Sequence, residues 1–330
     1  MAVSLADISK LRTMTGAGMM DCKKALTEAE GNFDKAVELI RKRGQAIAAK
    51  RSDREAAQGC VLAAAKGDFA AIVALKCETD FVAKNADFVA LTQQILDKAM
   101  EAKPASLEAL TALTIGGSTI QQLITDRSGV TGEKMELGMY EFVSGPAVWA
   151  YIHPGNMLAS IVAFNEAGLD NQVYKDVAMQ VAAMNPIAVS EKDVPAEYVA
   201  KEREIATEKT KAELIQKQVE AALTKAGINP AHVDSDAHIE SNTEKGWITA
   251  EQAAKAREIK VTVAEQAAGN LKQQMIDGIV NGRIQKIYKE QTLLNQAFIK
   301  EAKINVAQYM ASASKGLTAT AFKRVTLNEE

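Results

Sequence analysis

The residues best suited to chemistry lie in a few short stretches, and most of them fail a test of spacing. Gly129-Val130-Thr131-Gly132-Glu133-Lys134-Met135 mixes glycine and lysine as phosphate-cradling loops do. That chemistry needs four residues between the glycines and a Ser or Thr straight after a Gly-Lys pair. Here the glycines are too close, Glu133 intervenes and Met135 stands in the hydroxyl position. Gly16-Ala17-Gly18 follows a helical pattern rather than a strand, so a helix–helix turn explains it better than a dinucleotide fingerprint. His153, His232 and His238, with Cys22, Cys60 and Cys77, show no metal-ligand spacing. No nucleophile comes with a recognisable base and orienting group. We therefore expect neither an enzyme nor a bound cofactor or metal.

Cys77-Glu78-Thr79-Asp80-Phe81-Val82-Ala83-Lys84-Asn85 offers a different chemistry, that of contact. An acid beside a bulky aromatic is a poor catalyst but a good wedge for another protein. A loop Phe often folds back into its own core; the polar neighbours Thr79, Asp80, Lys84 and Asn85 argue otherwise, and Phe88 already supplies a core aromatic. Met19-Met20, ahead of Asp21-Cys22-Lys23-Lys24, is similar: we expect one methionine to pack inside and its neighbour to face out.

Rigid elements must flank that pair. Phe69–Leu75 is short, apolar and rich in β-formers, as a buried strand requires. Phe88, Leu91, Thr92 and Ile95 recur at helical spacing behind Asn85 as N-cap, so Asp80-Phe81 falls on the connection. Val61–Ala65 and the turn Lys66-Gly67-Asp68 complete a hairpin, and the helix runs from about 86 to 102. Further helices are expected around 106–113 and 120–128. The theme recurs as Met139–Val143, Val148–Ile152, a His153-Pro154-Gly155-Asn156 turn, Leu158–Phe164 and a helix from Val173 to Met184. Leu158–Phe164 echoes Phe69–Leu75 at an offset of 89 residues, so two related α+β subdomains are expected.

Upstream, residues 4–44 read as three helices, with Ser4 and Asp7 at capping-box spacing, Asn32 as a later N-cap and Gly44 as a stop. Lys50–Arg54 reads as a linker. Downstream, Ala196–Lys225 mixes six acidic and six basic residues with Tyr198, Ile205, Ala212 and Val219 every seven, a partial heptad interrupted at Lys201 and Glu208. Thr249 and Gln252 start a second long helix. Two helices of about 30 residues would make a hairpin arm roughly 45 Å long. After Gly282 strands are expected again, at Leu293–Ile299 and Ala319–Thr326, with a short helix near Val306–Ala311.

The 330 residues fit two or three domains, and 47% apolar with 25% charged residues fit a folded soluble protein. A net charge of −3 gives no nucleic-acid footprint. With no signal peptide and no spanning stretch, the expectation is a cytoplasmic protein that contacts neither membrane nor nucleic acid.

Leu11–Leu26 and Thr79–Asn85, followed by Gly282–Glu290 and Leu293–Ile299, resemble the bacterial-type elongation factor Ts family. The resemblance implies a guanine-nucleotide exchange factor acting on elongation factor Tu through protein–protein binding. It implies an α+β chain with an N-terminal three-helix ubiquitin-associated-like (UBA-like) domain and linker at 1–54. The core subdomains would span 55–138 and 139–190 plus 280–330, with an inserted antiparallel helical-hairpin, coiled-coil arm at 191–279. By that likeness Thr79, Asp80, Phe81 and Val82 form the tip pressed beside the partner's nucleotide and magnesium site. Arg12, Met19, Met20 and Lys23 would touch the GTPase domain, and Thr131, Gly132 and His153 a second surface. Set against longer members, the C-terminal helical module is expected to be missing and the arm to be extended. Self-association through core or arm is left open. A non-catalytic binding module and a nucleotide-dependent enzyme are the competing classes.

Overall fold

The computed structural model describes residues 3–329, which divide into two compact units, 3–189 with 296–329, and 190–295. Both helices and antiparallel sheets are present, an α+β chain.

The first unit begins with α1 (Leu5–Thr15), α2 (Met19–Glu28) and α3 (Phe33–Lys50). Ser4 and Asp7 form the expected capping box and Asn32 caps α3. Gly44 does not end α3, which runs on to Lys50, so the charged stretch expected as a linker starts one residue inside a helix. Gly44 lies instead at a close crossing with a later helix. The small core of these helices holds Ile8, Leu11, Cys22, Leu26 and Ala36.

Next come β1 (Gln58–Lys66) and β2 (Phe69–Cys77), turned by Gly67 at φ 63°. The chain continues through α4 (Asp80–Ala83), α5 (Ala86–Ala102), α6 (Leu107–Ala112), the two-residue strands β3 (Thr114–Ile115) and β4 (Ser118–Thr119), and α7 (Ile120–Thr131). Then follow β5 (Glu136–Ser144), β6 (Ala147–Ile152), β7 (Leu158–Phe164) and α8 (Asn171–Met184).

The two segments that echo each other are β2 and β7, and each is the central strand of a three-stranded antiparallel sheet. Along β2, Val73 and Leu75 face Phe88, Ile95 and Ala99 of α5, whereas Ala70, Ile72 and Ala74 share a core with Ala159, Ile161 and Ala163 of β7. Alternation along a strand sends successive side chains to opposite faces, and here one face of each sheet meets a helix and the other meets its fellow sheet. Alanine at the sheet–sheet face leaves little side-chain volume to separate the two sheets.

The second unit holds α9 (Ala196–Lys225), α10 (Asp236–Glu244), α11 (Ala250–Gly269) and α12 (Gln273–Gln291). One expectation is corrected here: the second long helix breaks at residues 270–272, and a separate helix then runs through Gly282 to Gln291. The heptad holds only in part: Val219 is buried, but Ile205 is 49% exposed and Ala212 is exposed, while Ala206, Thr210 and Leu223, off the heptad, are buried. Ala206 packs with Ile276, Val280 and Ile284 of α12; Val219 and Leu223 pack with Ile248, Ala253 and Ala256 around α11. A helix holding two different partners at its two ends need not keep one seven-residue seam.

The chain re-enters the first unit through β8 (Ala297–Phe298), β9 (Glu301–Asn305), α13 (Val306–Ala313) and β10 (Ala319–Thr326). Only Ala297–Phe298 of the expected 293–299 strand is extended, and β10 pairs with β7 to complete the second sheet.

Candidate functional site: an exposed aromatic tip

Where β2 ends, the chain does not simply loop. Thr79 caps a single helical turn, its hydroxyl accepting from the Val82 N–H at 3.4 Å. Within that turn Ala83 is buried and Val82 packs on the core, which sends Asp80 and Phe81 outward. Phe81 is 84% exposed, far more than any other aromatic of the hairpin or α5, and Phe88 fills the core position beneath it at 0%. Leaving a Phe in water forgoes roughly 1.5–3 kcal/mol of burial.

Asp80 takes a hydrogen bond from Lys84 Nζ at 2.7 Å, one turn on. That bond, with the ammonium charge, holds the Asp80 carboxyl below its ordinary range. The tip therefore presents a carboxylate, an ammonium and a bare aromatic face together.

Behind the tip lies an exchange of carboxylates. Glu133 accepts the Thr79 hydroxyl at 2.6 Å and the N–H groups of Glu78 and Thr79, each at 3.1 Å. Glu78 in return accepts the Lys134 N–H at 2.7 Å, and its second oxygen takes Arg54 at 3.1 Å. Thr131 and Gly132 stand just before Glu133; Thr131 ends α7, and Gly132 closes the helix at φ 74°. The segment that failed as a phosphate loop thus buttresses the tip. Sequence reading missed Glu133 because 54 residues separate it from Thr79.

His153 lies in the β6–β7 turn, exposed, with Nδ1 3.1 Å from the Tyr151 hydroxyl. The same turn continues into Gly155, Asn156 and Met157, which line a cleft of about 1100 Å³ together with Asp80, Lys84 and Leu327. The tip and this turn therefore border one concavity.

Arg12, Met19, Met20 and Lys23 all face solvent on α1 and α2. The expectation that one methionine packs inside is wrong: Met19 is 45% and Met20 63% exposed. Cys22, Ala25 and Leu26 occupy the inward positions of α2, each at 0%. Two flexible thioethers and two cations thus sit outside a small packed core.

Among the described residues, no helix is long and apolar enough to cross a membrane, and no group of three or more His, Cys, Asp or Glu could hold a metal ion.

A family model described as elongation factor TS matches residues 78–229 and 220–329, a span that contains the tip and Glu133. The chain is 59% identical to elongation factor Ts of Parabacteroides distasonis over 331 residues, 100% of both chains. It is 58% identical to elongation factor Ts of Bacteroides thetaiotaomicron and 49% identical to that of Porphyromonas gingivalis, again over 100% of each.

Proposed function

The chain belongs to the elongation factor Ts family, and from that premise we propose that it is a translation factor that promotes GDP release from elongation factor Tu. The observation that carries the mechanism is Phe81, 84% exposed on a helical turn buttressed from behind. Asp80 and Phe81 enter beside the nucleotide and magnesium site of the GTPase, with Thr79 and Val82 shaping the base of the wedge. Arg12, Met19, Met20 and Lys23, on the first two helices of a three-helix UBA-like unit, hold the GTPase domain, while Thr131, Gly132 and the His153 turn meet a second surface. The unit 190–295 is the helical arm inserted into the core. Work in the cytoplasm fits this role.

No cofactor is needed, because exchange couples two binding equilibria. If this chain weakens GDP binding by some factor, GDP weakens binding of the chain by the same factor. The complex with both ligands is therefore short-lived, and GTP can rebind. Release of labelled GDP from elongation factor Tu, with and without this chain, tests the proposal: acceleration supports it, and an unchanged rate removes it.

A further inference from the structure

We infer that Glu133 is the positioning residue of the Asp80-Phe81 tip, an inference that rests on the exchange reading above. A four-residue helix has too few internal hydrogen bonds to hold itself. Beyond the packing of Val82 and Ala83, its cap holds this one, and Glu133 holds the Thr79 hydroxyl and N–H of that cap. The Thr79 hydroxyl has one proton; giving it to Glu133 at 2.6 Å leaves a lone pair for the Val82 N–H. The other carboxylate oxygen takes the N–H groups of Glu78 and Thr79. Three donors on one carboxylate are charge-assisted bonds, stronger than neutral ones.

Glu133 is itself held in place. Ser128, 2% exposed, donates its hydroxyl to the Glu133 carbonyl at 2.5 Å, and the Glu133 N–H donates to the Thr131 hydroxyl at 3.3 Å. Lys134 is tied back to Glu78 by its N–H. The carboxylate therefore reaches the tip from a fixed base at the end of α7. A wedge ordered before contact has less conformational freedom to lose on binding.

The test is a cycle of full-length chains: wild type, Glu133→Ala, Glu133→Gln, Phe81→Ala and the double Glu133→Ala/Phe81→Ala. Each is assayed for GDP release from elongation factor Tu at saturating concentration. Glu133→Ala should slow release on the order of tenfold. Glu133→Gln should recover most of it, because one amide oxygen can take both backbone N–H groups while the amide nitrogen donates to Thr79. In the Phe81→Ala background, Glu133→Ala should add less than about twofold, since coupled residues are non-additive.

A merely structural role would slow both backgrounds equally, and that result overturns the inference, as does a wild-type rate for Glu133→Ala when Phe81→Ala is slow. If Glu133→Ala does not fold, Thr79→Val run through the same cycle gives the same two outcomes. Should wild type release no GDP, the exchange reading fails by itself. Hydrogen exchange at amides 80–83 of the free chain then still decides the positioning, with faster exchange expected in Glu133→Ala and an unchanged pattern against it.

Discussion

Gly129 of α7 lies against Gly44 of α3 so closely that a methyl group at 129 would run into the Gly44 backbone. The crossing joins the three N-terminal helices to the helix that ends at the buttress of the tip, and the Arg41–Asp126 pair at 3.5 Å lies alongside. The two glycines are not equivalent. A methyl at 44 would meet Gly129 Cα at 3.4 Å, an ordinary contact. Gly129→Ala should destabilise the chain by about 1–3 kcal/mol as the helices are forced apart. Gly44→Ala should be far milder, because overpacking is offset by the roughly 0.5–1 kcal/mol that Ala gains over Gly in a helix. Denaturant titration of both variants checks the asymmetry.

Asp176 is 3% exposed yet charged, and it is held by Lys300 at 2.6 Å, Tyr309 at 2.8 Å and Gln172 at 2.6 Å. Burial alone would raise its carboxyl; the hydrogen bonds from Lys300, Tyr309 and Gln172 and the Lys300 charge outweigh that, and the net direction is down. A carboxyl lower in the folded chain than in the unfolded one stabilises the fold above the ordinary value near about 4. That stability is lost as pH falls through the folded value. Asp176→Asn should cost about 1–3 kcal/mol at neutral pH and flatten the loss below about pH 4. Stability measured from pH 7 down into that range gives both numbers.

Cys60 and Cys77 are buried, and desolvation pushes their thiols up to about 11 and about 12, Cys77 with the Glu133 charge adding to it. Cys22 is buried as well. The thiolate is the reactive form. At pH 8 the folded chain should therefore react with a thiol reagent very slowly, and all three cysteines should react at once in denaturant. A rapid phase in the native chain would contradict this packing.

Much of the scaffold could be read in the sequence because its signals are local. Asn85 and Thr249 cap the helices they were expected to cap, and Gly67 turns the hairpin where glycine freedom is needed. Errors arose where a residue answers to a distant partner. Gly44 reads as a helix stop but faces another helix, and Ile205 and Ala212 sit at heptad positions yet are exposed. Met19 and Met20 could not be told apart from Cys22 until the inward face of α2 was known. In the site itself, Asp80-Phe81 stood out as an odd pair on a connection, whereas Glu133 showed only as a broken phosphate motif. A clamp closed across 54 residues leaves no local pattern.

Lys84 sets the ionisation of the tip through its 2.7 Å bond to Asp80. Lys84→Ala should raise the Asp80 carboxyl back toward its ordinary value, since the hydrogen bond and then the charge are what hold it down. Stability should hardly change, as for other exposed pairs. An NMR titration of the Asp80 carboxyl reads the first effect and denaturation the second.

Phe81 offers the most direct test of the wedge, because 84% exposure means its removal takes almost nothing from the fold. A buried aromatic anchor typically costs about 2 kcal/mol or more when truncated. Labelled GDP release from elongation factor Tu should therefore fall on the order of tenfold or beyond with Phe81→Ala, while the melting temperature of the chain stays where it was. Release at the wild-type rate by a folded Phe81→Ala chain would contradict the account at its centre.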